Sequence, residues 1–344
     1  MQSPSEIKTR LFSLLNKGIK YDLDRMYEAA ARCGNPQKSY KSIHVAGTNG
    51  KGSTCAFVES ILRHAGYKTG LYTSPHITDF EERFKIDGVD IDESVWFDVY
   101  KDQEKIINDF GLTFFEAATL MAFEIFKRAN VQYAIFETGM GGRLDATNII
   151  TPEVSIITKL AIDHWEYLGD YMATIAGEKL GIVKTSVPLI MLEPDEQLVK
   201  QLAVDKCKEI NSELTFVNTD MAKDVVSIND GMSFTYDNHQ YFLSLHGPHQ
   251  IQNALLALTA INKIISINHQ TIHAGLKSAS LPGRFQVISI DDRTVVVDVA
   301  HNPDAVKTLV NTLKTKFPDR RVSFVLGMMK DKDTASTLEI LTGY

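Results

Sequence analysis

The stretch HVAGTNGKGST, residues 44–54, turns an apolar strand into a glycine-rich loop and then into a helix. Gly47, Gly50 and Gly52 let the backbone bend tightly, so that loop N–H groups face an anion at the positive end of the helix. The spacing departs from GxxxxGK[ST], because Val45 stands where the first glycine would be. A flexible surface loop is the alternative, but the flanking strand and helix favour a phosphate-binding loop.

The residues after these glycines supply the chemistry of the loop. Lys51 can reach the β- and γ-phosphates of a nucleotide, and the hydroxyl of Ser53 or Thr54 can ligate the accompanying Mg²⁺. The helix is indicated by apolar residues at helical spacing and a glycine that ends it: Val58, Ile61, Leu62, Ala65 and Gly66. The stretch therefore predicts a nucleotide site.

Composition indicates an ordinary enzyme. The 344 residues are 44% hydrophobic and 23% charged, with a net charge of −7. This length suggests about two domains, and mild acidity without a basic run argues against nucleic acid or an anionic membrane as partner. No apolar stretch is long enough for a membrane span, and MQSPSEIKTR lacks a signal-peptide core, so we expect a cytoplasmic protein. Cys33, Cys55 and Cys207 fit neither a disulfide framework nor a zinc site.

Apolar strands alternate with amphipathic helices, which is the pattern of an α/β fold with a parallel sheet covered on both faces. The predicted strands are KSIHVAG, KTGLYTS, VQYAIFETG, EVSIITKL and VPLIML, with helices at FFEAATLMAFEIFKRA and IQNALLALTAINKII. A more polar segment at about residues 213–246 predicts a small β-rich subdomain. LPGRF predicts a boundary, which gives an N-terminal domain over 1–281, a linker at 282–285 and a C-terminal domain over 286–344.

The segment after this boundary predicts a second α/β unit. FQVISI and TVVVDVA lead into a helix from Pro303 to about Phe317, and RVSFVLGMM is a third predicted strand. So short a unit is marginal for an independent core. We therefore expect this domain to be incomplete.

Polar side chains stand where three of the predicted strands end. Glu137 ends the all-apolar strand YAIFE, where a carboxylate is costly unless it is paired or binds a cation. His164 follows SIITKL, and Ser74 ends the second strand. A Mg²⁺ ligand is the sharper interpretation of Glu137, whereas capping or a salt bridge is its alternative. Taken alone, His164 is more often structural and Ser74 more often a turn hydroxyl.

Taken together, the motifs of this chain resemble those of the folylpolyglutamate synthase and dihydrofolate synthase family, within the Mur ligase superfamily. In that family's order stand GTNGKGST, LYTSPH, FETGMGGRLDATN, IDHWEYLG, IAGEKLGIVK, HGPHQIQNA, LPGRF, DVAHNPDA and LGMMKDKD. The resemblance implies a Rossmann-like P-loop ATPase domain and a C-terminal α/β domain that closes over the nucleotide. The active site would lie in the cleft between them.

The resemblance also implies the reaction. Such an enzyme uses ATP to activate a folate or dihydropteroate carboxylate as an acyl phosphate, which the amine of L-glutamate then attacks. ATP would be the co-substrate and one or two Mg²⁺ ions the cofactor, with small molecules as the partners and a monomer as the assembly. The alternatives are a truncated nucleotide- and pterin-binding protein and a related Mur-type amino-acid ligase. Val299 stands where the family commonly has glycine. The chain also ends earlier than the family pattern, which would affect glutamate binding and domain closure.

By the same resemblance, three sets of residues would form the site. The ATP set is Gly47, Thr48, Asn49, Gly50, Lys51, Gly52, Ser53, Thr54, Asn253, Arg284, Asp298 and His301. The metal set is Ser53, Ser74, Glu137, His164 and Lys179. The folate or pterin set is Asp24, Arg25, Thr113, Phe115 and Asp145.

Within these sets Lys51, His164 and Lys179 would be catalytic. The family carries a carbamylated lysine in its EKxGI motif, which maps onto Lys179 and would turn a cation into a carboxylate-like metal ligand. The alternative for Lys179 is an exposed helix lysine paired with Glu178. Structural alternatives also exist for three residues of the ATP set. Asn253 would be an ordinary helix residue, Arg284 a charge in the linker, and Asp298 a cap at the end of a strand.

Overall fold

The computed structural model describes residues 4–18, 20, 22–163, 171–329 and 332–344, and its centre is one large sheet. Eight strands pair in the order β4-β3-β2-β5-β1-β6-β7-β8. They are β1 Lys41–Ala46, β2 Thr69–Tyr72, β3 Phe84–Ile86, β4 Val89–Asp90, β5 Tyr133–Glu137, β6 Val154–Ile157, β7 Leu189–Leu192 and β8 Leu214–Val217. Strands β2, β5, β1, β6, β7 and β8 run parallel, which confirms the predicted α/β class.

Helices cover this sheet and continue beyond it. Those of the described residues are α1 Pro4–Ser13, α2 Asp24–Arg32, α3 Lys51–His64, α4 Glu93–Asp109, α5 Phe114–Arg128, α6 Met172–Leu180, α7 Gln197–Glu209, α8 Pro248–Ile264, α9 His269–Ser278, α10 Pro303–Lys316 and α11 Thr334–Thr342. The helix predicted after the phosphate loop is confirmed as α3. Its end also agrees, since Gly66 follows it with φ +86°.

The two faces of the sheet are buried by different helices. On one face α1, α2, α4 and α5 bury aromatic and aliphatic residues such as Trp96, Phe123 and Phe136. On the other face α3 packs over β1 and β5, and α8 packs over β6 and β7, through residues such as Phe57 and Leu255, while α9 packs on α3. Both faces are largely apolar, and ligands of parallel sheets bind beyond the carboxyl ends of the strands, which is the edge where Glu137 ends β5.

Two features of the edges differ from the predicted sheet. Strands β3 and β4 form an antiparallel extension that the sequence pattern did not indicate, because the two strands are only three and two residues long. LTFV, placed in the subdomain, is β8 and pairs with β7 in the large sheet. The separate sheet therefore contains only β9 Lys223–Ile228, β10 Gly231–Tyr236 and β11 His239–Leu243.

The segment after the linker is less regular than predicted. β12 Gln286–Ile290 and β13 Arg293–Val297 form an antiparallel hairpin rather than parallel strands of a βαβ unit. The strand predicted at RVSFVLGMM was wrong: residues 321–329 have no regular secondary structure, and the Val325 side chain is fully exposed. Apolar, β-branched sequence favours a strand, but the strand forms only where a neighbour accepts its backbone hydrogen bonds.

Two further expectations concern the whole chain. Within the described ranges, no helix combines the length and the apolar character that crossing a membrane requires. Cys33, Cys55 and Cys207 are free thiols, and the last two are buried.

Close packing of α9 on α3 gives a prediction about stability. A Cβ added at Gly275 would lie 2.6 Å from the Cα of Ile61, and the Ser60 hydroxyl donates to the Gly275 carbonyl over 2.7 Å. Gly275→Ala must therefore push the two helices apart, which we expect to lower the free energy of unfolding by roughly 1–3 kcal/mol. Chemical denaturation followed by circular dichroism would measure this change.

Gly177→Ala is the matched control, because Gly177 lies in α6 with no atom within 4 Å of an added Cβ. Here the alanine should raise the free energy of unfolding by about 0.5–1 kcal/mol, through its better helix propensity. Equal effects of the two substitutions would contradict the packing argument.

Candidate active site

The phosphate loop joins β1 to α3, and two of its glycines are required by close contacts. Gly47 has φ +150°, and a Cβ there would lie 1.8 Å from the Thr158 hydroxyl oxygen. Gly50 has φ +90°, and a Cβ there would lie 2.2 Å from Oδ1 of Asn253. The loop therefore fits between β6 and α8 only with glycine at these two positions.

Lys51 and Glu137 bring opposite charges to the carboxyl ends of β1 and β5. The Lys51 ammonium donates to the Gly47 and Thr48 carbonyls, each over 3.2 Å. Burial raises the pKa of Glu137, while the nearby Lys51 and the N–H of Ser74, 3.1 Å from its Oε2, act in the opposite direction. A buried carboxylate with one protein donor is suited to a further cation.

Lys179 is not the exposed lysine of the alternative interpretation. It projects from α6 into the protein, is 4% exposed, and donates to the Gly47 carbonyl over 2.7 Å. Burial, and then repulsion from Lys51, lowers the pKa of Lys179 to about 7. Its amine therefore loses its proton far more easily than an ordinary lysine, and the ion pair with Glu178 is replaced by one between Glu178 and Arg143.

A single cleft collects most of the predicted residues. From the N-terminal part its lining includes Gly47, Thr48, Asn49, Gly50, Lys51, Gly52, Ser53, Ser74, Glu137, Lys179 and Asn253. From the linker and the segment beyond it come Arg284, Asp298 and His301. Thr54 does not line the cleft: it is buried within α3, and its hydroxyl has no hydrogen-bond partner among the described residues.

Asp298 fastens the linker to the C-terminal segment. Its two carboxylate oxygens accept from the N–H groups of Phe285 and Ala300, each over 2.8 Å. Phe285 has φ +45°, an unusual conformation for a large side chain, and the first of these bonds helps to hold it. Burial raises the pKa of Asp298, and the two N–H donors act against that rise. The helix at Pro303 is capped by Asn302 instead.

A pair of asparagines joins the phosphate loop to the C-terminal segment. Asn49 and Asn302 exchange amide hydrogen bonds of 3.2 and 3.0 Å, and Asn49 also donates to Asp304 over 2.8 Å. Asn302 in turn donates to Asp163, which also contacts Lys332 at 2.9 Å. These partners were missed at the sequence level, although Asn302 and Asp304 lie inside the quoted DVAHNPDA motif.

His249 and Gln250 are further cleft residues that sequence reasoning missed. They lie at the start of α8 within HGPHQIQNA, beside the selected Asn253. Nε2 of His249 accepts from the Gln250 amide over 3.1 Å, which leaves Nδ1 as the protonated nitrogen, without a partner among the described residues. Burial lowers the pKa of His249 to about 4, and Lys159 and Arg284 add to the effect.

The predicted pterin residues lie outside the cleft, in two groups. Arg25 and Thr113 meet at Glu116: the guanidinium is 2.9 Å from the carboxylate, and Thr113 forms a capping box with it at the start of α5. Asp24 is exposed at the start of α2. Their role in pterin binding stays a prediction.

Phe115 and Asp145 meet the loop that follows β5. A Cβ at Gly139 would lie 2.5 Å from the Phe115 ring, and Asp145 accepts from the N–H groups of Gly139 and Met140, each over 2.9 Å. Gly139, Met140 and Gly141 themselves line the cleft. The second group therefore borders the cleft through this loop, and its pterin role also stays a prediction.

The metal set can be placed except for one member. His164 lies outside the described residues. Among the residues that are described, no group of three His, Cys, Asp or Glu side chains is arranged to hold a metal ion. Ser53, Ser74, Glu137 and Lys179 nevertheless line the same cleft, and their donor set of one buried carboxylate and two hydroxyls fits Mg²⁺.

Comparison with known families agrees with this arrangement. Residues 45–261 match the Mur ligase middle domain, and residues 283–342 match the Mur ligase glutamate ligase domain. The P-loop sheet and its cleft thus define an ATP-dependent ligase of the Mur type.

Individual relatives narrow the class. The chain is 38% identical over 330 residues to the dihydrofolate synthase/folylpolyglutamate synthase of Escherichia coli K12, which covers 95% of the chain and 76% of the relative's length. The Escherichia coli FolC structure in complex with DHPP and ADP superimposes with a TM-score of 0.86 at 34% identity, covering 99% of this chain and 81% of that one. The structure of a bifunctional folylpolyglutamate synthase/dihydrofolate synthase with Mn, AMPPNP and L-glutamate bound superimposes with a TM-score of 0.86 at 34% identity. The match covers 100% of this chain and 82% of that one. The chain belongs to the dihydrofolate synthase/folylpolyglutamate synthase family.

The lowered pKa of His249 predicts a pH dependence of stability. The unfolded chain takes up this proton near pH 6.5, whereas the folded protein resists it down to about pH 4. Acidification through that window therefore favours unfolding. We expect His249→Gln to lose less stability than the wild type between pH 7 and about 4, measured by denaturant titration of the ligand-free protein.

His239→Gln serves as the matched control, because His239 is exposed on β11. It should follow the wild-type pH profile. The same profile for His249→Gln would show that His249 is not held neutral by its surroundings.

Proposed function

We propose that this chain uses ATP to join L-glutamate to the carboxylate of a reduced folate, of dihydropteroate, or of both. The observation that carries the proposal is the cleft in which the phosphate loop, Glu137 and Lys179 face Arg284, Asp298 and His301. The relatives with bound ADP, AMPPNP, DHPP and L-glutamate support it. The binding-only alternative is not favoured, because the relatives are ligases and the cleft includes residues from beyond the linker.

The proposed reaction requires that the negative charges of its two reactants be neutralised. A carboxylate must approach the γ-phosphate although both are anionic, and Lys51 and Arg284 place two cations in the cleft. The loop N–H groups and the N-terminal end of α3 add partial positive charge at the same place. These groups hold the phosphate so that the attacking and leaving oxygens lie in line.

Ser53, Ser74, Glu137 and Lys179 would hold Mg²⁺, together with His164. The ion, when bound, neutralises phosphate oxygens and favours phosphoryl transfer. The low pKa of Lys179 supports carbamylation, since only a neutral amine attacks CO₂. Carbamylation would convert the Lys179 ammonium, which donates to the Gly47 carbonyl, into a negatively charged carbamate.

The domain limits, cellular location and assembly also stay proposals. We assign residues 1–281 to the ATPase domain, 282–285 to the linker and 286–344 to the ligase domain. Asp298, which ties Phe285 to the hairpin that follows, supports a boundary there. A cytoplasmic location and a monomer remain predictions.

Phosphate release tests the proposed function. Purified protein would be incubated with ATP, Mg²⁺ and L-glutamate, and with either dihydropteroate or tetrahydrofolate. Release that depends on both the acceptor and glutamate, with a glutamylated product by mass spectrometry, is expected. ATP hydrolysis that neither substrate stimulates would contradict the proposal.

Lys51→Ala should abolish ligation while the fold remains. Among the described residues, the hydrogen bonds of its ammonium go to two loop carbonyls and to no carboxylate, so the charge is available for phosphate. We expect kcat to fall by roughly 10²- to 10³-fold with an unchanged melting temperature. Lys223→Ala, on exposed strand β9, is the control. Unfolding of Lys51→Ala would mean that the lysine is structural.

Glu137→Gln should raise the Mg²⁺ concentration needed for activity. The substitution removes a negative ligand but preserves the shape of the loop, so nucleotide should still bind. Activity would be titrated with Mg²⁺ in parallel with Glu153→Gln, a carboxylate at the opposite end of the sheet. An identical Mg²⁺ requirement in Glu137→Gln and wild type would remove Glu137 from the metal set.

A further inference from the structure

A chain of hydrogen bonds runs through the core beside the cleft. His44, in the middle of β1, is fully buried, and its Nε2 lies 2.8 Å from the hydroxyl oxygen of Thr147. That hydroxyl lies 2.5 Å from Oδ1 of Asp145, whose other oxygen accepts from Gly139 and Met140. The chain thus connects the central strand to the loop that follows β5.

The hydrogen bonds of this chain all donate in one direction, from His44 toward Asp145. Asp145 is surrounded by four donors: the N–H and hydroxyl of Thr147 and two loop N–H groups. Such a group is a carboxylate, so the Thr147 hydroxyl donates to it and must accept from His44 Nε2–H. Burial, and then Lys184, lowers the pKa of His44 to about 3, which keeps the ring neutral. Its single N–H lies on Nε2 because the Thr147 hydroxyl must accept there.

His44 is an expensive residue at this position. It lies in a strand whose other residues from Ile43 to Ala46 are apolar, and its side chain is fully buried. Nδ1 of His44 has no hydrogen-bond partner among the described residues, so the ring loses hydration that nothing replaces. The compensation lies at Nε2, in the bond to Thr147.

The loop held by this chain faces the substrates. Gly139 packs against Phe115, and Gly139, Met140 and Gly141 line the cleft next to Glu137. Within the part of the chain that the structure describes, the Met140 N–H donates to the Asp145 carboxylate and to no other side chain. Without the Asp145 carboxylate in place, Gly139 and Met140 would lose the hydrogen bonds that hold the loop in its position at the edge of the cleft.

The segment that contains Asp145 also contacts the C-terminal end of α6. The Asn148 amide donates to the carbonyls of Arg143 and Gly181, over 2.9 and 3.0 Å. Arg143 pairs with Glu178, the neighbour of Lys179. Residues 139–148 therefore form a brace between β5 and α6, with Asp145 at its centre.

We propose that His44 and Thr147 are positioning residues, which act through Asp145 to hold the Gly139–Gly141 loop in the geometry that the pterin-type acceptor requires. This inference rests on the proposed function for the identity of the acceptor. Neither residue contacts the cleft itself. Their effect should therefore fall on acceptor binding and transfer, and leave nucleotide binding intact.

Two pairs of variants test the inference. Thr147→Val removes the hydroxyl at constant volume, and Thr147→Ser keeps it while losing a methyl group. His44→Met removes the Nε2–H donor, and His44→Gln places an amide donor near the same position. Measurements are hydrogen exchange of the peptides covering residues 139–143 and 133–138, melting temperature, and KM for ATP and for dihydropteroate or tetrahydrofolate.

For Thr147→Val and His44→Met we expect faster exchange in 139–143 but not in 133–138, where the Thr138 N–H bonds to the Val45 carbonyl in the sheet. We also expect a KM for the acceptor raised by about tenfold, with an unchanged KM for ATP. Thr147→Ser and His44→Gln should restore both values, even where their melting temperatures fall.

Several results would overturn the inference. Unchanged exchange in 139–143 would show that the chain does not hold the loop. Faster exchange with unaltered acceptor kinetics would reduce the chain to a structural role, as would parallel losses in both KM values. A wild-type protein without ligase turnover would instead contradict the proposed function, and exchange together with equilibrium binding of dihydropteroate would still decide the positioning role.

Discussion

The site depends on keeping unlike charges buried together at the carboxyl ends of β1 and β5. Glu137 and Lys179 are each 4% exposed, and burial shifts the pKa of each toward its neutral form. Lys51 lies close enough to oppose the shift of Glu137 and to add to that of Lys179. Such a cluster is unstable alone and becomes favourable when phosphate and a divalent cation complete it. The surrounding apolar sheet supplies the low dielectric that makes these charges effective.

Much of this could be predicted from the sequence because the signals were local. The loop glycines, the helix from Lys51 to His64 and the strand ending at Glu137 all follow from patterns within about ten residues. Burial of Lys179 did not, since a lysine on a helix is normally exposed and its partner, the Gly47 carbonyl, lies 132 residues away. The strand predicted over residues 321–329 was wrong because the local signal was misleading. Its apolar sequence favours a strand, but a strand forms only beside a partner strand that accepts its backbone hydrogen bonds.

The cleft proposed to bind nucleotide is lined by residues from both parts of the chain. Asn49 lies in the phosphate loop, yet its side chain bonds to Asn302 and Asp304 of the C-terminal segment. Because Asn302 also caps α10, whose Thr308 and Thr312 line the cleft, the position of that helix is coupled to the conformation of the loop. Sequence alone placed Asn49 with the nucleotide, since the amide partner lies 253 residues away.

For the proposed contact of Lys51 with nucleotide phosphate, the resting position of this side chain has a consequence for the entropy of binding. Its ammonium is held by two carbonyls of its own loop, so the long side chain has already lost much of its rotamer freedom before any phosphate arrives. Binding then exchanges one set of acceptors for another rather than freezing a mobile arm. The favourable charge attraction is offset by the lost carbonyl contacts, and not by a large ordering term.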